Sequence, residues 1–574
     1  MRHAWLITLV TVLVLAPSTI TRGQQHAGRH KPKLDEVLQD ALASGSGRQL
    51  SVIIQATPSG RRAVRDRIVA KGRHLTGEFE GISAIGADVD AGDLADLVAD
   101  PAVKAVSIDG PVRAHAVVTG PGAVVPLDLL RSALGVGNTT LTGRGVGVAI
   151  IDSGISNIPD LHNQIAAFYD FTQGGKAVAA YDDLGHGTHV AATVASSGAQ
   201  NSYIQKGIAP NVRLIGLKVL DKSGRGTTSS VLSALAFVTA RKAELGVDVI
   251  NLSLGHPIYE SASTDPLVGA VEAAVRAGIV VVVSAGNYGA NPQTGVVGYG
   301  GISSPGNAPS AIAVGASNTS GTVTRNDDTV AAYSSRGPSW FDGFAKPDLV
   351  APGHRIVADV KGGTLWNKYK TWQMPPTPGW SGQYMRLSGS SMATAVATGV
   401  VALVLEANRT KTYSDGMPMA ALNPYAVKTI LQYTATPLPL ADTLSQGTGE
   451  INADGAIALT RALDTRTTPW RVAAVAQTTT FGTEVDSWSG ALIAGSTQIS
   501  NITAGVAVTG ANILWGENIV WGENIVWGEN LVWGENILWG DNIVWGENVI
   551  WGENVVWGEN VVWGENVWGD DLPW

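Results

Sequence analysis

Residues 146 to 316 alternate short apolar, β-branched runs with longer stretches of helical periodicity. Apolar runs linked by helices are typical of a parallel sheet that helices cover on both faces. The pattern therefore predicts a doubly wound α/β fold with a mostly parallel sheet, whose ligand site lies beyond the carboxyl ends of the strands. Strands are predicted at 146–151, 213–219, 247–254, 279–284 and 311–316, and helices at 189–196, 228–245 and 266–277.

Residues 24–118 predict a small separate α+β domain. The order of its elements, β-α-β-β-α-β, is that of a ferredoxin-like unit. Leu94, Leu97 and Val98 are predicted to share one face of its second helix. No cluster of side chains in this part of the sequence suggests chemistry. Strands are predicted at 50–56, 73–80, 83–89 and 102–109, and helices at 58–71 and 91–99.

The start of the chain and the segment after residue 464 differ from these globular regions. Arg2 and His3 precede an apolar stretch of 13 residues, 4–16, which is shorter than the roughly 20 residues that span a bilayer. Residues 1–23 are therefore predicted to be a secretory signal, and the alternative is a buried N-terminal helix. Residues 465–511 are rich in Thr, Ala, Gly and Ser, which predicts a linker or, alternatively, a weak β segment.

Residues 512–574 form a tail of hexapeptide repeats, each with Trp-Gly-Glu-Asn followed by two aliphatic residues. A period of six is a multiple of the strand period and does not match the helical period. The repeats therefore predict stacked short strands, as in a hexapeptide β-solenoid. A row of tryptophans suits contact with the cell surface, with glycan or with a second tail, and the alternative is a rigid self-packed spacer.

Composition narrows the class of protein. The chain has 574 residues, of which 45% are apolar, so it can hold several domains with large cores. The net charge is −9, but the repeat tail alone carries eight Glu, three Asp and no Lys or Arg. The remainder is close to neutral and gives no sign of nucleic-acid binding. Because the chain has no cysteine, disulfides and thiolate metal sites are excluded.

Candidate chemistry begins at Ser391, between a polar loop, 382–387, and an apolar run, 392–405, that predicts a buried helix. A hydroxyl at a helix start lies among unpaired backbone N–H groups, which can stabilise the oxyanion formed when a serine attacks a carbonyl. The alternative is a serine that only caps the helix. The motif is not the Gly-x-Ser-x-Gly of the α/β-hydrolases, because Ala393 stands at the second glycine position.

Three further polar residues are predicted at the same edge of the sheet. Asp152 and Asn287 each follow a predicted strand, and His186 stands between two glycines at the start of a helix. Each has an alternative. Asp152 and Asn287 would be turn residues. His186 would belong to a helix-capping loop with incidental histidines, or would bind a metal with His189, with Asp182 and Asp183 as possible carboxylate ligands. A nucleophilic serine needs a base and a carboxylate that orients the base, and the chain order here is Asp, His, Ser.

At these residues the sequence resembles the subtilase family of serine endopeptidases. Several separate motifs occur in the family's order over about residues 130–463, which makes the resemblance specific. It implies a subtilisin-like peptidase domain at 119–464. The segments that carry it are GRGVGVAIIDSG at 143–154, HGTHVA at 186–191, GIAP at 207–210, SAGN at 284–287, PDLVAPG at 347–353 and GSSMAT at 389–394.

The resemblance implies roles for individual residues. Asp152, His186 and Ser391 would be the catalytic triad, and Asn287 the donor to the oxyanion. Polypeptide substrates would pair as a β-strand between two segments of the enzyme. The substrate-binding residues implied in this way are Ser223, Gly224, Gly226, Ser253, Leu254, Gly255, Ala285 and Gly286.

Residues 24–118 then resemble the family's inhibitor pro-domain, which the enzyme itself removes, with a junction between residues 114 and 125. Two features depart from the family pattern. Ala395 stands where the family usually has proline, and we expect little effect because alanine is a good helix former. The stretch 196–206 does not clearly match the family's calcium loop. No metal site or required cofactor is therefore predicted, and structural calcium stays an open alternative.

The whole sequence predicts a secreted serine endopeptidase, extracellular or associated with the cell surface. It would hydrolyse peptide bonds through an acyl-enzyme intermediate and would be autoprocessed from a precursor. The competing interpretation is a catalytically inactive protease-fold protein that binds a surface and displays the repeat tail. The intact set of acid, imidazole, serine and amide favours the enzyme.

Overall fold

A computed structural model describes residues 33–43, 49–115, 122–291, 294–413 and 415–464, with short strands further along the chain. The predicted signal at 1–23 and most of the predicted linker lie outside the described residues. Residues 116–121, within the predicted junction, also lie outside them.

The N-terminal unit, residues 33–110, is an antiparallel sheet with helices against one face. Its elements are α1 (Glu36–Ala43), β1 (Leu50–Ala56), α2 (Arg61–Ala70), β2 (Leu75–Phe79), β3 (Ala84–Val89), α3 (Ala91–Ala99) and β4 (Val103–Ile108). The strand order β2-β3-β1-β4 is that of a ferredoxin-like sheet. The sequence pattern did not predict α1. The predicted face of α3 is partly wrong, because Leu94 and Leu97 are buried whereas Val98 is exposed.

The predicted peptidase region is built on a nine-stranded, mostly parallel sheet with helices on both faces. Including the segment that leads into it, its strands are β5 (Pro111–Ala114), β6 (Val125–Pro126), β7 (Gly147–Asp152), β8 (Ile165–Asp170), β9 (Lys176–Ala177), β10 (Arg213–Lys218), β11 (Arg225–Thr227), β12 (Val249–Leu252), β13 (Leu254–Pro257), β14 (Val280–Ser284), β15 (Ser303–Ser304), β16 (Ile312–Asn318), β17 (Thr329–Val330), β18 (Leu349–Pro352), β19 (Ile356–Val360) and β20 (Gln383–Leu387). Its helices are α4 (Leu127–Ala133), α5 (His186–Ala195), α6 (Thr228–Ala240), α7 (Lys242–Leu245), α8 (Pro266–Arg276), α9 (Gly363–Lys368), α10 (Ser390–Thr410), α11 (Pro424–Thr434), α12 (Thr443–Gln446) and α13 (Ala453–Ala462).

The main sheet runs in the order β17-β16-β14-β12-β7-β10-β8-β9, and β18 also pairs with β16. The single strand predicted at 247–254 is wrong, because the chain leaves the main sheet after Leu252. β12 pairs in parallel with β7 and β14, whereas β13 pairs antiparallel with β5 and β15. Ser253 lies at the break and therefore faces the edge where the candidate site lies.

Alternate residues of β7 face two different cores. Val148 and Ile150 pack with residues of α5 and α10, whereas Ala149 and Ile151 pack with residues of α6 and α8. Phe79 of the N-terminal unit packs in the core that contains Ala149, Ile151 and residues of α6 and α8. The N-terminal unit therefore lies on the face of the main sheet that α6 and α8 cover. Within the described chain, α10 is the one helix long and apolar enough to cross a membrane, and its apolar window is buried inside the protein.

Beyond the peptidase region the described backbone consists of short strands. β21 (Leu463–Asp464), β22 (Trp470–Val472) and β23 (Gln498–Ile499) form a small antiparallel sheet. In the tail each strand pairs in parallel with the strand two hexads further on, so that Trp515 lies opposite Trp527. Two sheets result, of five and of four strands. The strands are β24 (Leu514–Trp515), β25 (Val520–Trp521), β26 (Val526–Trp527), β27 (Val532–Trp533), β28 (Ile537–Trp539), β29 (Val544–Trp545), β30 (Val549–Trp551), β31 (Val556–Trp557) and β32 (Val562–Trp563).

Candidate active site

The end of β7 and the start of α5 bring Asp152 and His186 together. Both side chains are fully buried, and Nδ1 of His186 lies 2.8 Å from Oδ1 of Asp152. A carboxylate can only accept, so Nδ1 carries the hydrogen. Burial opposes protonation of the ring, but the charge and hydrogen bond of Asp152 outweigh it and raise the pKa of His186 above its ordinary value. The pair is therefore suited to hold a proton taken from a neighbouring hydroxyl.

Asp182 fixes the loop that carries His186. Its Oδ1 accepts hydrogen bonds from the Ser153 hydroxyl and from the backbone N–H of Gly185, each at 2.9 Å. Its Oδ2 accepts from the backbone N–H of Thr188 at 2.8 Å and from the Thr188 hydroxyl at 2.7 Å. The carboxylate thus ties the end of β7 to the first turn of α5 by hydrogen bonds.

His189 does not converge with His186 on a common ligand. Its Nε2 lies 3.1 Å from the carbonyl oxygen of Ile356 and 3.2 Å from that of Met385. Burial lowers the pKa of His189 to about 3, so the ring is neutral and packs as a core residue. In the part of the chain that the structure describes, no group of three or more His, Cys, Asp or Glu side chains could hold a metal ion.

Ser391 is the second residue of α10 and is fully buried. Its hydroxyl donates to the carbonyl oxygen of Ser253 at 2.9 Å. Nε2 of His186 has no hydrogen-bond partner among the described residues. The serine and the imidazole are therefore not hydrogen-bonded to each other here, and a reaction between them needs the hydroxyl to turn about its Cα–Cβ bond. Such bonds commonly form only when substrate is bound.

Asn287 presents an unused donor next to the start of α10. Its Oδ1 accepts from the backbone N–H of Ser390 at 2.9 Å, while its buried Nδ2 has no partner among the described residues. An unpaired buried donor costs about 1–3 kcal/mol. An anionic oxygen that accepts a hydrogen bond from Nδ2 would remove this cost and would itself be stabilised. Gly286 shapes this turn: its φ is +111°, and an added Cβ would come within 2.6 Å of the Ser335 hydroxyl.

The cleft beside these residues is filled by the chain itself. β5 lies between β11 and β13 and pairs antiparallel with both. The backbone N–H of Ala114 donates to Gly224 at 3.3 Å, and that of His115 donates to the carbonyl oxygen of Ser253 at 3.4 Å. The segment that leads out of the N-terminal unit thus lies where the family resemblance implies that substrate pairs.

Most of the implied substrate-binding residues flank this strand, namely Gly224, Gly226, Ser253, Leu254 and Gly255. Ser223 instead donates its hydroxyl to Asp221 at 2.6 Å, and the carbonyl oxygen of Ala285 accepts from Ser303 at 2.9 Å. Sequence reasoning missed His115 and Ser284, whose side chains meet in the cleft. The predicted junction contains His115. If the junction itself had been considered as the peptide that pairs with the implied substrate-binding segments, His115 would have been found.

Known proteins resemble this chain over the region that holds the candidate site. The model of the Subtilase family matches residues 143–456, a range that contains Asp152, His186, Asn287 and Ser391. The serine protease AprX of Bacillus subtilis (strain 168) is 38% identical over 323 residues, which cover 55% of this chain and 67% of that protein. Subtilisin E of the same strain is 32% identical over 394 residues, which cover 68% of this chain and 85% of that protein.

The fold is also that of a solved relative. The crystal structure of fervidolysin from Fervidobacterium pennivorans matches with a TM-score of 0.56 at 22% identity, over 75% of this chain and 63% of that one. At that identity, and over less than two thirds of the other chain, the likeness shows the fold alone. The predicted family and the subtilisin-like α/β fold are thereby confirmed. The chain belongs to the subtilase family and is a subtilisin-like serine protease.

Proposed function

We propose that the chain is a secreted endopeptidase that cuts polypeptides with Asp152, His186 and Ser391 as its triad and Asn287 as oxyanion donor. The observation that carries the proposal is the buried Asp152–His186 pair, whose Nε2 is unpaired. The helix-start serine and the unpaired Nδ2 of Asn287 support it further. These are the groups that acyl transfer by a serine needs.

In the first half of the reaction, the Ser391 oxygen attacks the carbonyl carbon of the scissile bond and His186 Nε2 takes the hydroxyl proton. Asp152 holds the ring by Nδ1 and stabilises its charged form. The negative oxygen of the tetrahedral intermediate accepts from Nδ2 of Asn287 and from the backbone N–H of Ser391. When the C–N bond breaks, the amine takes the proton from Nε2 and leaves an ester on Ser391. Water then repeats the sequence and releases the acid.

The N-terminal unit acts in this proposal as an inhibitor that the enzyme cuts off. β5 fills the cleft through main-chain pairing on both sides, so a foreign peptide cannot bind there until the unit leaves. The apolar stretch at 4–16 supports export of the precursor. The acidic repeat tail holds the enzyme at a surface, at glycan or at a second copy of itself, because rows of apolar residues mark interaction sites.

A fluorophosphonate probe tests the proposal, because it reacts only with an activated serine. We expect one label per processed chain, mapped by mass spectrometry to Ser391 and not to the adjacent Ser390. Ser391→Ala should lose the label, and Ser132→Ala, at an exposed serine of α4, should keep it. Absence of label on the folded wild-type chain would favour the inactive surface-binding protein instead.

A further inference from the structure

His115 places its side chain in a closed pocket next to the candidate reactive centre. The residue is 5% exposed, although the strand that precedes it runs along the surface of the cleft. Nδ1 of the ring lies 2.8 Å from the hydroxyl oxygen of Ser284, at the end of β14. The ring meets Tyr288 edge-on at 6.4 Å between centroids. A side chain at Gly255 would come within 2.9 Å of the ring, so glycine leaves the space that the imidazole fills.

The backbone of His115 is in register with the nucleophile. Its N–H and the Ser391 hydroxyl both donate to the carbonyl oxygen of Ser253, at 3.4 Å and 2.9 Å. Two groups that share one acceptor lie side by side, so His115, the last described residue of this segment, lies beside the serine. Three positions earlier, Val112 is fully buried, and it anchors the strand at its other end.

We propose that Ser284 makes this pocket selective for histidine as the residue before the scissile bond, and that the precursor is cut between His115 and Ala116. The inference rests on the proposed endopeptidase function and adds to it the substrate class and the processing site. Attack by Ser391 on the His115 carbonyl breaks the bond to the Ala116 nitrogen, and that nitrogen leaves with the proton from His186. Water then releases the His115 carboxylate.

The chemistry of the pocket explains the preference. Nδ1 of the imidazole pairs with the buried Ser284 hydroxyl, while Nε2 has no partner among the described residues. An aliphatic side chain of similar size would leave the Ser284 hydroxyl unpaired as well. A site built to hydrogen-bond a substrate group discriminates against substrates that lack it. The titratable groups around the ring are His186 of α5, His256 of β13 and Tyr288 after β14. Burial, then the charges of His186 and His256, lower the pKa of His115 to about 3, so the ring is bound neutral.

The test compares peptides that carry the sequence of residues 111–118 with His, Gln, Phe or Leu at the position of His115, using processed full-length enzyme. We expect the highest kcat/KM for His. Ser284→Ala should lower the ratio of kcat/KM for the His peptide to that for the Phe peptide about tenfold, the effect of one lost hydrogen bond. Ser233→Ala is the matched control. Its hydroxyl donates to the carbonyl oxygen of Ser229 at 2.8 Å within α6, so the ratio should not move.

Processing gives an independent readout. Sequencing of the new N-terminus should begin at Ala116, and His115→Leu should slow conversion of the precursor about tenfold, whereas His115→Gln should slow it less. A ratio that Ser284→Ala leaves unchanged, or a His peptide cut no better than the Leu peptide, would overturn the inference. Fluorophosphonate labelling of the same preparations separates the two claims. A labelled enzyme without histidine preference refutes only the selectivity, and an unlabelled one refutes the endopeptidase itself.

Discussion

Raising the pH from 7 to 8.5 should weaken inhibition by the N-terminal unit, and Glu260→Gln should remove most of that change. Glu260 lies at the contact between the two units, where the backbone N–H of Glu36 donates to Tyr259 at 3.1 Å. Burial, then repulsion by Asp265 and by Asp35 of the N-terminal unit, raises the pKa of Glu260 to about 8. Asp265 belongs to the peptidase region itself, whereas Asp35 is lost when the N-terminal unit leaves, so docking favours the protonated form of Glu260.

The sign and the size of the effect follow from linkage. A group whose pKa is higher in the docked state than in the separated state stabilises docking when it is protonated. This stabilisation is complete below the pKa of the separated state and is lost as the pH rises through the pKa of the docked state. If the whole shift from the ordinary value of 4.5 to about 8 were lost on separation, the change between pH 7 and 8.5 would be about tenfold, or roughly 1.3 kcal/mol. This is an upper limit, because the repulsion by Asp265 remains after separation. Glu260 keeps some solvent contact, so we expect about three- to tenfold.

Two other buried groups, one in the N-terminal unit and one in the segment after it, titrate outside this window. Burial raises the pKa of Asp35 to about 6 and lowers that of His115 to about 3, so both have reached their final charge by pH 7. The assay is the inhibition constant of residues 24–118 against processed enzyme, with a peptide substrate, from pH 7 to 8.5. Glu244→Gln, at an exposed ion pair with Arg241, is the matched control. If the inhibition constant depends on pH in the same way for the wild type and for Glu260→Gln, Glu260 does not carry the pH dependence of docking.

Three further outcomes are expected. Asn287→Ala should lower kcat by roughly 10² to 10³ with little change in KM, a range set by the equivalent substitution in subtilisin itself; an unchanged kcat would remove Asn287 from the site. As the pH is lowered below about 6.5, kcat/KM for the peptide with His before the scissile bond should fall faster than kcat/KM for the Phe peptide. The reason is that the free His side chain becomes protonated there, whereas the pocket binds the neutral ring. Parallel pH profiles for the two peptides would contradict this. Deletion of 512–574 should leave kcat/KM on short peptides unchanged and alter retention on the producing cells or mass by light scattering; lost peptide hydrolysis would place the tail within the catalytic fold.

The sheet and the placement of its polar ends could be predicted from sequence, because both depend on local pattern. β7 is apolar at every position before Asp152, so its end and its burial follow from the sequence alone. The apolar run after Ser391 predicted α10, and the serine lies at its second position as expected. The strand 280–284 likewise ends just before the loop that carries Asn287.

Features that depend on distant pairing could not be predicted in this way. β5 is short, begins with proline and has no pattern of its own, and it is a strand only because β11 and β13 flank it. The end of β12 at Leu252 is likewise set by β13, which follows β5 rather than the main sheet. The orientation of the Ser391 hydroxyl toward Ser253 is a choice of side-chain rotamer, which no sequence pattern encodes.

Conversion of the precursor tests most directly whether Asp152, His186 and Ser391 perform the hydrolysis. The precursor is produced in a host without other proteases and purified into a buffer free of them, and its conversion is followed by intact mass. The wild-type chain should lose its N-terminal unit, and Ser391→Ala should stay uncut while the isolated variant remains folded and bound to that unit. Ser391→Ala precursor cut at the same bond and at the wild-type rate would contradict the claim that Asp152, His186 and Ser391 perform the hydrolysis.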